Sequence, residues 1–209
     1  MFDEAESGIS PTFTSSFWHS FPNFSFNKKL ETFALKIEKE FPSVNRSNHD
    51  GYHSPYLEIG PLIKRFYDVI RPEVHAYTDR LHVIAPYSIY FGKPWININR
   101  KGASNVPHNH PSSFLAATYY IKTPPLCGDL CFYNPRSPIL FALKWSQYTN
   151  ENSSIWKVGP KVGKLIIFPS DLLHGVEPNQ SDEPRISLSF NMNINQKGRS
   201  ETSSYETNQ

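Results

Sequence analysis

Cysteine is almost missing from this chain: Cys127 and Cys131 are the only two in 209 residues. A disulfide framework of the kind that holds small secreted domains together is therefore excluded. The pair could close one short bridge or form half of a zinc site. No second Cys/His pair completes such a site nearby, and two reduced thiols at the start of a strand are the simpler reading. An excess of one charge is missing too. Lys and Arg number 21 against 19 Asp and Glu, a net charge of +2, and no basic run exceeds pairs such as Lys28–Lys29 and Lys64–Arg65. So weak a field gives no sign of a nucleic-acid partner. No apolar stretch approaches the ~20 residues of a membrane-spanning helix. The acidic opening MFDEAESGISPTF lacks the apolar run of a secretory signal. The expectation is a soluble, cytoplasmic protein with no membrane partner; oligomeric state is not readable.

Present in quantity are aromatic residues, 14% of the chain with 15 Phe and 11 Tyr, together with 18 Pro. That balance favours strands and loops over helical bundles. No internal repeat is found. From Asn27, apolar residues at Leu30, Phe33, Ala34, Ile37 and Phe41 follow the spacing of an amphipathic helix, which Pro42 stops. Residues Asn45 to Pro55 are polar and turn-rich, which predicts a loop. A second helix opens at Pro61, with Leu62, Ile63, Phe66, Val69 and Ile70 as its stripe. Pro72 is expected to kink or end it, with a further turn from Glu73 to about Leu81. His75 and His82 read as ordinary surface or packing residues.

Beyond residue 82 the period changes to short strands: Ser88–Phe91, Trp95–Asn99, Phe114–Lys122, Asp129–Tyr133, Ile155–Val158, Lys164–Phe168, Leu172–Val176 and Arg185–Ile194. Short strands without helices between them predict a sandwich or barrel such as a jelly roll. Gly128 and Gly163 read as turn residues. The organisation expected is one domain: a helical segment (1–81) packed on a β core (82–195), then a flexible tail (196–209).

Three histidines in the strand region stand where chemistry needs them. His108 and His110 are two apart in N-V-P-H-N-H-P, so in extended chain both imidazoles point to one side. An H-x-H pair alone fits a solvated loop as well as a metal site. His174 follows on a later strand. Eleven residues on, Arg185 opens R-I-S-L-S-F-N-M-N, in which Ile186, Leu188, Phe190 and Met192 alternate with Arg185, Ser187, Ser189 and Asn191. An edge strand with its polar face in water shows that pattern. So does a cavity-lining strand with Arg185 inward. Tyr119 and Tyr120 are adjacent, so only one faces a cavity. Asn97 and Asn99 either line the same cavity or are satisfied within their strand.

Taken in order, N-x-x-H-x-H-P, the Y-Y-I strand, G-D-L-x-F, G-K-L-I-I-F-P-S-x-L-x-H-x-V-x-P-N and R-I-S-x-S-F-N resemble the Fe(II)/2-oxoglutarate-dependent oxygenases. More narrowly, they are similar to a branch found in bacteria and phages and related to the prolyl-4-hydroxylase-like enzymes. The likeness covers roughly residues 90 to 195. It implies a mainly β fold, a double-stranded β-helix (jelly roll, cupin-like) with N-terminal helices packed on the sheet. It implies Fe(II) held by His108, His110 and His174, although His110 falls where the family usually carries Asp or Glu. A carboxylate such as Asp129 or Asp171 remains the alternative third ligand. Arg185 matches the residue that grips the distal carboxylate of 2-oxoglutarate, Ser187 its serine partner, and Tyr120 a phenol directed at the same co-substrate.

The implied activity is a dioxygenase using Fe(II), 2-oxoglutarate and O2. It would hydroxylate an organic or peptidyl substrate and release succinate and CO2. The alternative is a non-catalytic cupin-like protein that binds a metal or small acid, which His110 in place of a carboxylate keeps open. Substrate contacts are expected in the loops Arg100–Pro107 and Ser137–Ser154, the latter carrying Trp145 and Tyr148.

Overall fold

The structure is a computed structural model, and it describes residues 15–23, 25–135, 144–149 and 152–196. In chain order these form β1 (Trp18–Ser20), α1 (Asn27–Glu40), β2 (Asn48–His49), β3 (Tyr52–His53), α2 (Pro61–Arg80), β4 (Tyr87–Phe91) and β5 (Trp95–Asn99). There follow β6 (Ser104–His108), β7 (Leu115–Lys122), β8 (Leu130–Tyr133), β9 (Ile155–Val158), β10 (Leu165–Pro169), β11 (His174–Val176) and β12 (Arg185–Gln196).

Two antiparallel sheets result. The larger has the order β1-β10-β7-β12-β5-β3, with β4 beside the C-terminal half of β12; the smaller has the order β2-β6-β11-β8-β9. From β5 to β12 the chain passes back and forth between the sheets, the winding of a jelly roll or double-stranded β-helix. The mainly β expectation with helices packed on a sheet is met.

The larger sheet is buried on both faces, which explains its nearly continuous apolar strands. Its outer face (Ile96, Ile98, Tyr119, Leu165, Ile186, Leu188, Phe190) packs on Leu30, Ala34, Ile37, Ile63, Phe66 and Ile70 of the helices. Phe66 anchors the contact, with Tyr119 at 5.2 Å and Phe190 at 5.8 Å, both edge-on. The inner face packs Ala116, Tyr120, Ile166 and Phe168 against Leu130 and Phe132 of the smaller sheet.

The structure departs from the local expectations at five places. The segment from Asn45 to Pro55 is not all loop: β2 pairs with β6 and β3 pairs with β5. Two-residue strands carry no period, so only their partners reveal them. Residues Arg100–Pro107 likewise hold most of β6, hidden by Pro107 within it. β1, hydrogen-bonded to β10, was not anticipated. Pro72 does not end α2. The helix runs on to Arg80 because Pro72 lies on its exposed side, while Tyr67, Ile70, Val74 and Tyr77 stay buried on the other. The strand expected from Leu172 begins at His174. Cys127 and Cys131 are both buried and unbridged. The tail beyond Gln196 and much of Ser137–Ser154 lie outside the described residues. Among the described residues no helix is long and apolar enough to cross a membrane.

Candidate active site

The strand pairing that closes the smaller sheet also assembles the histidines. His174, first residue of β11, stands opposite His108, last residue of β6, and His110 follows just beyond, its backbone N–H donating to Ser170 O at 2.8 Å. The rings lie 4.3 Å apart for His108–His174 and 5.1 Å for each of the other two pairs. One nitrogen from each falls within 4.8 Å of the others, the only metal-competent group among the described residues. Gly175 permits the close approach. A Cβ there would sit 3.0 Å from Asn105 O and 3.3 Å from Pro107 N, both backbone atoms of β6.

Two of the rings are oriented by backbone. His108 Nδ1 lies 2.8 Å from Val106 O and His174 Nδ1 lies 2.8 Å from Leu172 O. A carbonyl only accepts, so Nδ1 carries the proton and Nε2 keeps its lone pair. The His110 ring is steered instead by packing on Trp95, 5.6 Å between centroids. Burial holds all three below the usual histidine range: His110 at about 4, with help from His108 and His53, and His174 at about 3. All three are therefore neutral at physiological pH, the form that ligates a metal.

From the histidines a narrow cavity runs between the sheets to Arg185. Arg185 opens β12 opposite Asn99, and Ser187 on the same face stands opposite both Asn97 and Tyr120. Arg185 is 3% exposed. Nη1 donates to Cys127 O at 3.0 Å and Gly128 O at 3.2 Å, and no carboxylate pairs with it among the described residues. Burial accordingly lowers its pKa. Gly128 makes this turn possible: φ is +84°, and a Cβ would stand 2.3 Å from Glu177 O. Tyr120, fully enclosed, has its phenol pKa raised by burial and so stays protonated and able to donate. Asn97 donates to Ser189 Oγ at 3.3 Å, while its buried Oδ1 has no partner among the described residues.

The sequence-selected residues His108, His110, His174, Arg185, Ser187 and Tyr120 thus all line one cavity. Tyr119 points to the helices, its hydroxyl donating to Asn27 Oδ1 at 2.9 Å. Asn99 turns aside to Asn105 Oδ1. Neither alternative carboxylate joins the histidines. Asp171 is exposed, and Asp129 lies at the opposite end, where its charge acts on Arg185. Sequence reasoning missed Ser47, His53 and Trp95 around the histidines. Only Trp95 lay in a predicted strand, and nothing in the local pattern marked the other two.

A donor set of three neutral imidazoles and a buried, unpaired guanidinium fits a divalent metal and a dicarboxylate. Comparison with known proteins agrees. No functionally curated protein matches the sequence, but residues 93–191 match the family described as "Putative 2OG-Fe(II) oxygenase". Among solved structures, HygX from Streptomyces hygroscopicus with nickel and 2-oxoglutarate bound is similar at 13% identity and TM-score 0.59, covering 86% of this chain and 83% of that one. A Pseudomonas putida prolyl-4-hydroxylase is similar at 12% identity and TM-score 0.57, covering 88% and 95%. A 2OG-Fe(II) oxygenase family oxidoreductase from Burkholderia pseudomallei is similar at 14% identity and TM-score 0.55, covering 80% and 77%. At such identities these likenesses establish the fold, the jelly roll described above. It is the family match that places residues 93–191, the stretch holding every strand from β5 to β11 and the start of β12, in the 2OG-Fe(II) oxygenase family.

Proposed function

We propose that this chain is an Fe(II)/2-oxoglutarate-dependent dioxygenase that hydroxylates an organic or peptidyl substrate, converting 2-oxoglutarate and O2 to succinate and CO2. One observation carries the reading: three neutral histidines converge at one end of a cavity whose other end buries a guanidinium with no carboxylate to pair with among the described residues. His108, His110 and His174 would hold the iron. Iron bound there supplies oxygen activation and oxidation of the substrate.

The remaining work belongs to the protein. Arg185 receives the distal carboxylate of 2-oxoglutarate, which offsets a buried charge that otherwise costs several kcal/mol. The Ser187 hydroxyl and the protonated Tyr120 phenol supply neutral donors beside it. Phe168 and Leu130 form an apolar wall that keeps water from the same space. The backbone carbonyls of Val106 and Leu172 fix the His108 and His174 rings, so the metal-binding lone pairs are set before any ion arrives.

The test is anaerobic addition of Fe(II), then 2-oxoglutarate, to the purified chain. The wild-type protein develops a weak visible metal-to-ligand charge-transfer band, and Arg185→Ala weakens 2-oxoglutarate binding on the order of a hundredfold or more. No band, with 2-oxoglutarate binding unchanged in Arg185→Ala, would remove the assignment. A band with no succinate in any substrate screen would favour the non-catalytic binding protein instead. His110→Ala that keeps stoichiometric iron would take His110 off the ligand set.

A further inference from the structure

Outside the histidines the cavity opens into a wider groove. It shares Ser47, Trp95, His108 and His110 with the inner cavity, so a molecule lying in it meets the metal ligands directly. One wall is aromatic. His53 stacks on Trp95 at 5.7 Å and 9°, and Tyr56 meets Trp95 edge-on at 5.8 Å and 81°. Tyr56 is braced in this way yet 59% exposed.

The groove is also one-signed. No acidic residue lines it among the described residues. Arg46 at its rim is exposed, and its guanidinium forms no ion pair among the described residues, although its charge is felt at His53. Of the other described arginines, Arg100 pairs with Glu38, Arg65 and Arg71 lie over the Phe26 and Phe91 rings, Arg185 is buried, and Arg80, away from the groove, forms no ion pair among the described residues. A second count points the same way. Three neutral imidazoles leave a bound dication its full charge. With Arg185, the two carboxylates of 2-oxoglutarate fall one negative charge short of balance. A carboxylate ligand in place of His110 would have closed that gap; here it is left for whatever occupies the groove.

We infer that the groove is the substrate site and that it selects an organic anion. A planar body rests on the His53–Trp95–Tyr56 wall, and an oxyanion, carboxylate or phosphate, pairs with Arg46. This deepens the oxygenase reading and rests on it for the fate of the bound molecule.

The experiment titrates three matched probes, 2-naphthoate, 2-naphthyl phosphate and 2-naphthamide, into the full chain loaded anaerobically with Fe(II) and 2-oxoglutarate, with heat of binding as the readout. At least one anion binds about tenfold or more tightly than the amide, and the two anions between them report which oxyanion is preferred. Arg46→Gln brings anion and amide to within about twofold, Arg46→Lys keeps most of the preference, and Tyr56→Ala weakens all three probes alike. Equal binding of amide and anions in the wild type, or a preference that survives Arg46→Gln, overturns the inference. The charge-transfer band, read first on the same sample, keeps the two readings apart. A missing band, with 2-oxoglutarate binding unchanged in Arg185→Ala, sinks the oxygenase assignment while an Arg46-dependent preference still establishes the groove, and a band without anion preference sinks the groove alone.

Discussion

Replacing Arg185 by Met separates a receptor for an anion from a structural clamp, because the two roles predict opposite results in the same pair of measurements. Met keeps the length and apolar stem and removes the charge. Arg185 is 3% exposed, and its guanidinium has two carbonyl acceptors among the described residues, at 3.0 and 3.2 Å. Removing it leaves those carbonyls unsatisfied, which costs about 1–3 kcal/mol each. It also relieves an unpaired buried charge, whose effective penalty is several kcal/mol. The two nearly cancel, so Arg185→Met is expected to unfold within about 2 kcal/mol of the wild type, a Tm change of no more than about 8 °C at roughly 2–4 °C per kcal/mol. Binding should change far more. Two charge-assisted bonds to the distal carboxylate, at about 1.5–3 kcal/mol each, correspond to a loss on the order of 10²–10⁴ in Kd for 2-oxoglutarate. Thermal unfolding with and without 2-oxoglutarate measures both quantities. A variant destabilised by more than about 3 kcal/mol that binds 2-oxoglutarate within about threefold of the wild type would refute the reasoning, and would make Arg185 a clamp for the Cys127–Gly128 turn.

Three further outcomes follow from the same geometry. Gly175→Ala forces β11 away from β6 and should lower metal affinity about 10–100-fold, the range for changes just behind a ligand, as measured by chelator competition. Tyr120→Phe removes one neutral donor from the cavity and should weaken 2-oxoglutarate about 2–10-fold with little change in Tm; an unaltered Kd would confine Tyr120 to packing. In the metal-free chain, His110 at about 4 and His174 at about 3 bind protons less readily than in the unfolded state. Stability is therefore full above the ordinary histidine value of about 6.5 and falls as pH drops towards 4, by up to about 1.4 kcal/mol per unit for each group. Denaturant melts at pH 7, 5.5 and 4.5 check this, and a flat profile would show that the rings are hydrated.

Much of this site was legible because its key residues obey strand parity. H-x-H puts His108 and His110 on one side of an extended chain, and R-x-S does the same for Arg185 and Ser187. Parity alone left Tyr119 and Tyr120 undecided, because the larger sheet is buried on both faces and an aromatic ring suits either. Register decides the matter: Tyr120 stands opposite Ser187, on the cavity side, and Tyr119 opposite Leu188, on the helix side. His53 and Arg46 were invisible for another reason. They sit on two-residue strands and turns whose conformation is imposed by β5 and β6, and no local period records a partner some fifty residues away.

The histidines and the arginine also depend on different sheets, which bounds what any single strand could reveal. His108 and His174 belong to β6 and β11 of the smaller sheet, with His110 just beyond; Tyr120, Arg185 and Ser187 belong to β7 and β12 of the larger. A co-substrate held at both ends must bridge the sheets, so their separation matters as much as the identity of either set. That separation is set by the inner core. Phe132 meets Phe168 at 5.1 Å across the sheets, and Phe168 in turn lies edge-on to His174 at 4.6 Å. Phe168 is thus both a spacer between the sheets and the backing of a metal-ligand candidate. In sequence it reads as one more apolar residue of a buried strand, because the distance it keeps is a property of two strands from different sheets.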